Sequence, residues 1–596
     1  MLNVHREVFH EQRLFALFWV SPQTLDEVLP WKAPDLWDGR VAAVLLRSEK
    51  DHLKPDESYR LLLQNVQDKY RQAEALLKQR LAHESETLAI AELQLRAAEA
   101  ALAADRYTEA RTHSEAALAV ARRKGDATLM ATCLTTLGRS LQTIGDVHGA
   151  VNYFEQALAV TQKVGHRHGI GMSLDALGSA YLGFGEVRRA IEYFERALVV
   201  ARENGNRRSE GASLGNLGTA CSRLGEVRRA IRYYEQSLAI SRETADRRAE
   251  ATDLGNLGSA YSRIGEVHHA IKYHERALAI SREIGDRRGE GMDLGNLGSA
   301  YFQLGEVRRA IHYYDQALAI FQEIGYRGGE AAELGNLGLG YAELGDVRRA
   351  IGYHDQARAI AQEIRDRLGE ENHLGNLGLA YTRLGELRRG VAYFKQALAI
   401  ARETGDRRSE GASLGNVGSA YARLGEVHGA IEYYEQALAI AREIEDRHGE
   451  GNHLGNLGVA YAHLGQAHRA IEYQEQALAI AQEIGDRRGE GNHLGNLGLA
   501  YARLGEVRRA IEYYKQALII SRETGDRQGE ATGLFNISLA LDRLGERESA
   551  IARAEEALQI YEEIESPNAD AVRKQLSEWY GSVAAAREEP GDCARD

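Results

Sequence analysis

The chain has 596 residues, a hydrophobic content of 44% and a formal net charge of −13. That apolar share suits a packed interior, and the acidic balance argues against general nucleic-acid binding, which needs a basic surface. Cys133, Cys221 and Cys593, the three cysteines, have no disulfide or metal spacing, so a reducing compartment is expected.

Residues 1–50 differ from the rest of the chain. They hold Trp19, Trp31 and Trp37 and the prolines Pro22, Pro30 and Pro34. Phe15–Val20 reads as a buried strand, Ser21-Pro22 as a turn or helix start and Val41–Leu46 as a second strand. The apolar run Leu14–Val20 is too short to span a bilayer and lacks the layout of a signal peptide. A cytoplasmic protein is expected. Arg6, Phe18-Trp19, Ala33-Pro34-Asp35 and Trp37 give this block a resemblance to the end of a bacterial nucleotide-binding-type α/β domain that precedes a helical repeat array. It is expected to be a small α/β remnant, and the start at Met1 fits either a natural start or a truncated ancestor. No GxxxxGK[ST] motif and no Gly-Lys pair occurs anywhere, so the phosphate-binding element is missing.

Residues 51–93 are charged. Leu61–Leu63, Val66, Tyr70, Ala73 and Leu77 follow helical spacing, which predicts connecting helices that cap the first repeat of a long array.

That array runs from residue 94 to 573, where a 40-residue unit recurs without insertion or deletion. Its first leucine falls at Leu134, Leu174, Leu214, Leu254, Leu294, Leu334, Leu374, Leu414, Leu454, Leu494 and Leu534. A weaker copy, with Ala110 and Leu118 in phase, makes twelve units. A fixed period of this size marks a repeat architecture. All six prolines lie outside or at the end of the array, as continuous helix stacking requires.

Each unit reads as two helices. In the copy at 251–290, Leu254, Leu257, Gly258 and Tyr261 form one helical face. Gly265 supplies a left-handed stop, and Glu266 suits the positive end of the second helix. Val267, Ala270, Ile271, His274, Ala277 and Leu278 mark its buried stripe. Gly285-Asp286 closes the unit, and the aspartate is placed to cap the next helix. Residues 574–596 read as a capping helix carrying Leu576, Trp579 and Val583, then a disordered tail.

Leu257, Gly258, Tyr261, Gly265, Ala270, His274 (Tyr or Phe in most copies) and Ala277 carry a pattern that resembles the tetratricopeptide repeat. The period is 40 rather than 34 and the usual proline is missing, which predicts longer helices and a longer inter-repeat turn. This form is similar to the Leu-Gly-Asn repeat-enriched (Pins) adaptors and, more distantly, to kinesin light chains. The resemblance implies an all-α, right-handed superhelix of about twelve helical hairpins whose concave groove binds extended peptides.

The resemblance places one face of each first helix on that groove. There the repeat builds an asparagine ladder: Asn216, Asn256, Asn296, Asn336, Asn376, Asn416, Asn456, Asn496 and Asn536. Arg223, Arg263, Arg383, Arg423, Arg503 and Arg543 run beside it. An Asn amide donates and accepts, so it suits a peptide backbone; arginine adds charge-assisted bonds to acids or phosphate. The alternative role for the same asparagines, placed behind the groove role, is joining neighbouring helices. Where the polarity adaptors carry a further asparagine, this chain has Ser259, Ser299, Leu339, Leu379 or Val459.

A second ladder is the Arg-Arg pair at 188–189, 228–229, 308–309, 348–349, 388–389 and 508–509. It reads either as a phosphate track for RNA or, better, as a salt-bridged edge, because Glu226 and Arg229 are i, i+3 neighbours. His373, His453 and His493 sit on separate helices about 8–10 Å apart, too far for a shared metal. No Ser/His/Asp, Cys/His or paired-carboxylate arrangement stands out. The expectation is a non-catalytic scaffold for an extended, acidic peptide, without cofactor or metal. The alternatives are a regulatory or sensor subunit of a nucleotide-dependent signalling or defence assembly whose ATPase is another chain, and RNA binding through the arginine pairs.

Overall fold

A computed structural model describes residues 69–77, 87–103, 106–143 and 146–588. The expected α/β remnant at 1–50 and the tail beyond 588 lie outside the described residues. Residues 69–77 are helical, and among the described residues there is no strand. Twelve helix–turn–helix pairs come one after another. They run from Leu88–Ala103 with Tyr107–Lys124 to Arg527–Arg543 with Arg547–Glu563, and the helix Asn568–Glu588 comes last.

The copy at 247–283 explains why each unit folds this way. Asp246 accepts from the backbone N–H of Ala249 at 3.1 Å, which satisfies one of the unpaired amides that open a helix. Arg247–Arg263 then runs for 17 residues. It stops at Gly265, whose φ of +81° is the left-handed conformation glycine adopts without a Cβ penalty. The N–H of Glu266 returns to the Tyr261 carbonyl at 3.0 Å, and Val267–Glu283 comes next, again 17 residues long. Glu266 makes no side-chain cap; its carboxylate meets His269 Nδ1 at 2.9 Å instead. The turn between repeats, through Gly285 at φ +67°, is as short as the turn inside the pair. The extra length of the unit therefore lies in the helices, not in the inter-repeat turn.

The chain divides into two units, 1–300 with 319–325 and 301–318 with 326–596. In the first, Phe194, Leu214, Leu217, Tyr234, Leu254 and Leu257 belong to one continuous core. In the second, Tyr434, Leu454, Leu457, Leu497 and Tyr514 do the same, and Trp579 of the last helix closes that core. No single pair has a partner for its whole apolar face, so stability comes from neighbour-to-neighbour burial.

Candidate functional site

Because the first helix of each pair buries its Leu/Leu/Gly face, it turns the opposite face outward. Two neighbouring first helices then leave a cleft whose floor is the second helix between them. In the first unit a cleft of about 480 Å³ lies between Arg207–Arg223 and Arg247–Arg263. Asn216, Thr219, Thr252 and Asn256 line its walls, Ser237 and Ser241 its floor, with Asp253 at the foot of one wall, and Arg208 and Arg248 its end. In the second unit the corresponding cleft, of about 420 Å³, is lined by Asn496, Leu499, Tyr514, Thr532 and Asn536, with Arg488 at its end.

Four of the nine ladder asparagines, Asn216, Asn256, Asn496 and Asn536, thus line clefts, and all nine are half-buried. Two also serve the fold. Asn336 donates to Glu333 at 3.1 Å, and Asn216 bonds to Asp175.

The arginine ladder stands at the other end of the same face, where five of the six side chains reach back one repeat and Arg423 is exposed. Arg223 donates to the Leu182 carbonyl at 2.9 Å, Arg263 to Ser222 at 2.6 Å, Arg383 to Ala342 at 3.2 Å and Arg543 to Ala502 at 3.1 Å; Arg503 donates to Ala462. Each of these carbonyls belongs to the last turn of a helix, the negative end of its dipole. One donor of each guanidinium is committed there, yet a carbonyl carries no formal charge to balance it.

The foot of one wall of the first cleft holds a group that sequence reasoning missed. Asp253 accepts from Ser241 at 2.7 Å, and Ser237 donates to the Gly211 carbonyl at 2.9 Å. Burial pushes the Asp253 carboxyl up to about 6 against the pull of its serine bonds. Asp293, bonded to Ser281 at 2.8 Å, is pushed up to about 7 by the same cause. In the second unit this repeat position holds Glu333, His373, His453 and His493, all buried. His493 Nδ1 meets Gln474 Oε1 at 2.9 Å. Among the described residues no group of three His, Cys, Asp or Glu side chains is arranged to hold a metal ion, and no helix is long and apolar enough to cross a membrane.

The arginine pairs lie on a different edge. Their second members bond the acid three residues earlier: Arg189 to Glu186 at 2.8 Å, Arg389 to Glu386 at 2.7 Å and Arg509 to Glu506 at 3.0 Å. Several also cover a tyrosine, as Arg309 does Tyr301 at 4.1 Å from the ring centre. That tyrosine stacks on Tyr313 at 5.3 Å, and equivalent pairs recur at 461/473 and 501/513. This edge is ion-paired and stacked.

A second recurring network also escaped sequence reasoning. Glu410 is buried and accepts from Arg402 at 2.9 Å and from Arg407 at 2.5 Å; Arg407 also holds Glu443 of the next junction. The same four-residue ladder is present at 202/207/210/243 and 442/447/450/483. The Arg-x-x-Glu spacing is visible in the sequence, but its partner across the junction is not.

A tetratricopeptide repeat family model matches residues 89–163, 141–203, 169–243, 209–283, 248–323, 330–403, 409–483 and 489–563. No curated protein matches the chain. Among solved structures it is similar to a signal transduction ATPase with numerous domains that carries a tetratricopeptide repeat sensor, from Pyrococcus horikoshii. Identity there is 18%, with a TM-score of 0.46, covering 62% of this chain and 54% of that one. The quorum sensor NprR of B. thuringiensis gives 16% identity and a TM-score of 0.42, covering 58% and 97%. A Podosopora anserina putative kinesin light chain with nearly identical repeats gives 24% and 0.29, covering 33% and 96%.

Proposed function

The chain belongs to the tetratricopeptide repeat family, and from that premise we propose that it is a non-catalytic protein–protein interaction scaffold whose first-helix grooves bind an extended, acidic peptide segment of another protein. The observation that carries this reading is the lining of the two clefts. Asparagines from neighbouring repeats face each other across both of them, at Asn216 and Asn256 and at Asn496 and Asn536. An amide that both donates and accepts matches a peptide backbone whatever its side chains. Arg208 and Arg248 at the cleft end already meet Asp246 and Asp286 at 3.5 Å, so it is the arginine ladder, bonded on this face to backbone carbonyls, that favours an anionic ligand. A groove held by packed helices keeps its shape before the ligand arrives, which lowers the ordering cost of binding on the scaffold side.

The test is a pull-down from native lysate with the full chain and with a variant carrying Asn216, Asn256, Asn496 and Asn536 all changed to Ala. Circular dichroism checks that the helices survive. Loss of a specific partner from a folded variant supports the groove. Retention of every partner moves the binding site elsewhere.

A further inference from the structure

The two units do not present the same groove. At one position of the outward face, the first unit carries hydroxyls: Thr219, Ser259 and Ser299. In the second unit the same position carries Leu339, Leu379, Val459 and Leu499, with relative exposures of 43%, 47%, 37% and 41%. The repeat supplies its own control for whether packing requires an aliphatic side chain there. Ser419 occupies the position within the second unit, on the same helix frame; its hydroxyl donates to the Gly415 carbonyl at 2.9 Å and accepts from the Tyr434 hydroxyl at 3.1 Å. Ser299 likewise donates to the Gly295 carbonyl at 3.1 Å. The hydroxyls thus serve the fold, as Thr219 also meets Tyr234 at 3.2 Å, whereas the aliphatic side chains bury little more than half of themselves in it. Leaving each one partly in water forgoes on the order of 1 kcal/mol of burial, and a row of such side chains is the mark of an interaction surface.

We propose that the groove of the second unit selects aliphatic side chains: its ligand is an extended protein segment with leucine, isoleucine or valine at about every third position and acidic residues beside them. The proposal rests on the groove reading above and names the ligand class for one unit. Leu499 lines the 420 Å³ cleft itself, alongside Asn496 and Asn536, so an aliphatic contact and a backbone contact are available at one site. The spacing comes from the helices. Neighbouring first helices lie about 10 Å apart, and a chain in the extended polyproline II form rises about 3.1 Å per residue with about three residues per turn, so one side chain in three returns to the same face and meets each leucine. The acidic requirement comes from charge. Arg383 and Arg503 lie four residues beyond Leu379 and Leu499, one helical turn away. Both are exposed, and the bonds they make on this face go to the carbonyls of Ala342 and Ala462, which leaves their charge to be met by the ligand.

The test uses the full chain and two fluorescent synthetic peptides. One is acidic with leucine at every third position, and its twin has serine there. They are titrated against wild type, against Leu379→Ser/Val459→Ser/Leu499→Ser, and against Asn376→Ala/Asn456→Ala/Asn496→Ala. Serine is the residue the fold already accepts at 419, and circular dichroism checks both variants. The expected result is that wild type prefers the leucine peptide by about tenfold or more, that the serine variant loses this preference, and that the alanine variant weakens both peptides. If both peptides bind wild type equally, or if the preference survives in the serine variant, the aliphatic reading is overturned while the groove stands. If the alanine variant binds both peptides as wild type does, or neither peptide binds any form, the groove reading falls too.

Discussion

The ring of Tyr514 fills the space that a side chain at Gly498 would need. A Cβ built on that glycine would stand 2.6 Å from Tyr514 Cδ1 and Cε1, closer than packed carbons tolerate. The same approach recurs in both units, at Gly178 with Phe194 and at Gly378 with Phe394. It sets how closely the two helices of a pair come together. Gly498→Ala tests which effect wins. Alanine gains about 1 kcal/mol in helix propensity, whereas overpacking a core costs about 1–3 kcal/mol. The expected balance is a destabilisation of about 1 kcal/mol, read as a lower urea midpoint. A variant more stable than wild type would mean that the aromatic ring moves aside at little cost.

The Glu410 ladder is the second target. Burial works against its charge, but the hydrogen bonds from Arg402 and Arg407 prevail and hold its carboxyl below the usual value of 4.5. A depressed carboxylate contributes stability that is present above its unfolded pKa and is lost as pH falls through the folded one. Glu410→Gln should lower stability by about 1–2 kcal/mol at neutral pH. The arginines are about half exposed, so screening keeps the figure at this size. The difference from wild type should shrink below pH 4.5, where the wild-type carboxylate also takes up its proton. Urea unfolding at neutral and acid pH measures it; a penalty that stays constant with pH would show that the ladder acts by shape rather than charge.

Leu254, Leu257, Ala270 and Gly265 were legible in the sequence because their roles depend on spacing along one helix, and Asp286, which accepts from the Gly289 N–H at 2.9 Å, was legible because a cap acts within three residues. The bond from Arg407 to Glu443 was not, since its partner lies 36 residues away and becomes a neighbour only when the next pair stacks. Arg263 had the right face but a hidden partner: a backbone carbonyl one repeat back leaves no trace in side-chain spacing. Nothing in the spacing of Asp253 marks it as buried, since it is stacking that places it against Ser241 of the preceding helix. The outward position of Asn256 was legible from periodicity. That neighbouring asparagines frame a cleft is a consequence of the packing between repeats.

Turn geometry gives a third prediction. At the inter-repeat turn Gly285, Gly405, Gly485 and Gly525 have φ between +67° and +72°, but Ala245, Arg365 and Glu445 hold φ of +52°, +58° and +56° at the same position. A residue with a Cβ is strained there by about 1–2 kcal/mol, and glycine gives back part of that relief as extra freedom in the unfolded chain. The double variant Arg365→Gly/Glu445→Gly should therefore be more stable by about 0.5–1 kcal/mol per site, read as a higher thermal midpoint. A fall in midpoint would mean that unfolded-state entropy outweighs the strain.

The two units should respond to acid in opposite directions. In the first, burial raises Asp175 to about 7, Asp253 to about 6 and Asp293 to about 7. A folded-state pKa raised above the unfolded value means that the native form binds more protons, so stability is gained as pH falls through the folded pKa. His274 opposes this, lowered to about 4 by burial. The second unit has the reverse balance. Burial lowers His354 to about 4, with a smaller push from His373, and also lowers His373, His453 and His493. These imidazoles protonate near 6.5 only in the unfolded chain, so each loses stability as pH falls below that value. Glu333, raised to about 7, and Glu371, also raised, oppose them but are fewer. Between pH 7 and pH 5 the first unit should gain protection and the second lose it, by on the order of 1 kcal/mol for each uncompensated group. Hydrogen exchange resolved by peptide, corrected for the intrinsic rate at each pH, separates the two. Parallel changes in both units would show that these buried groups do not control their acid response.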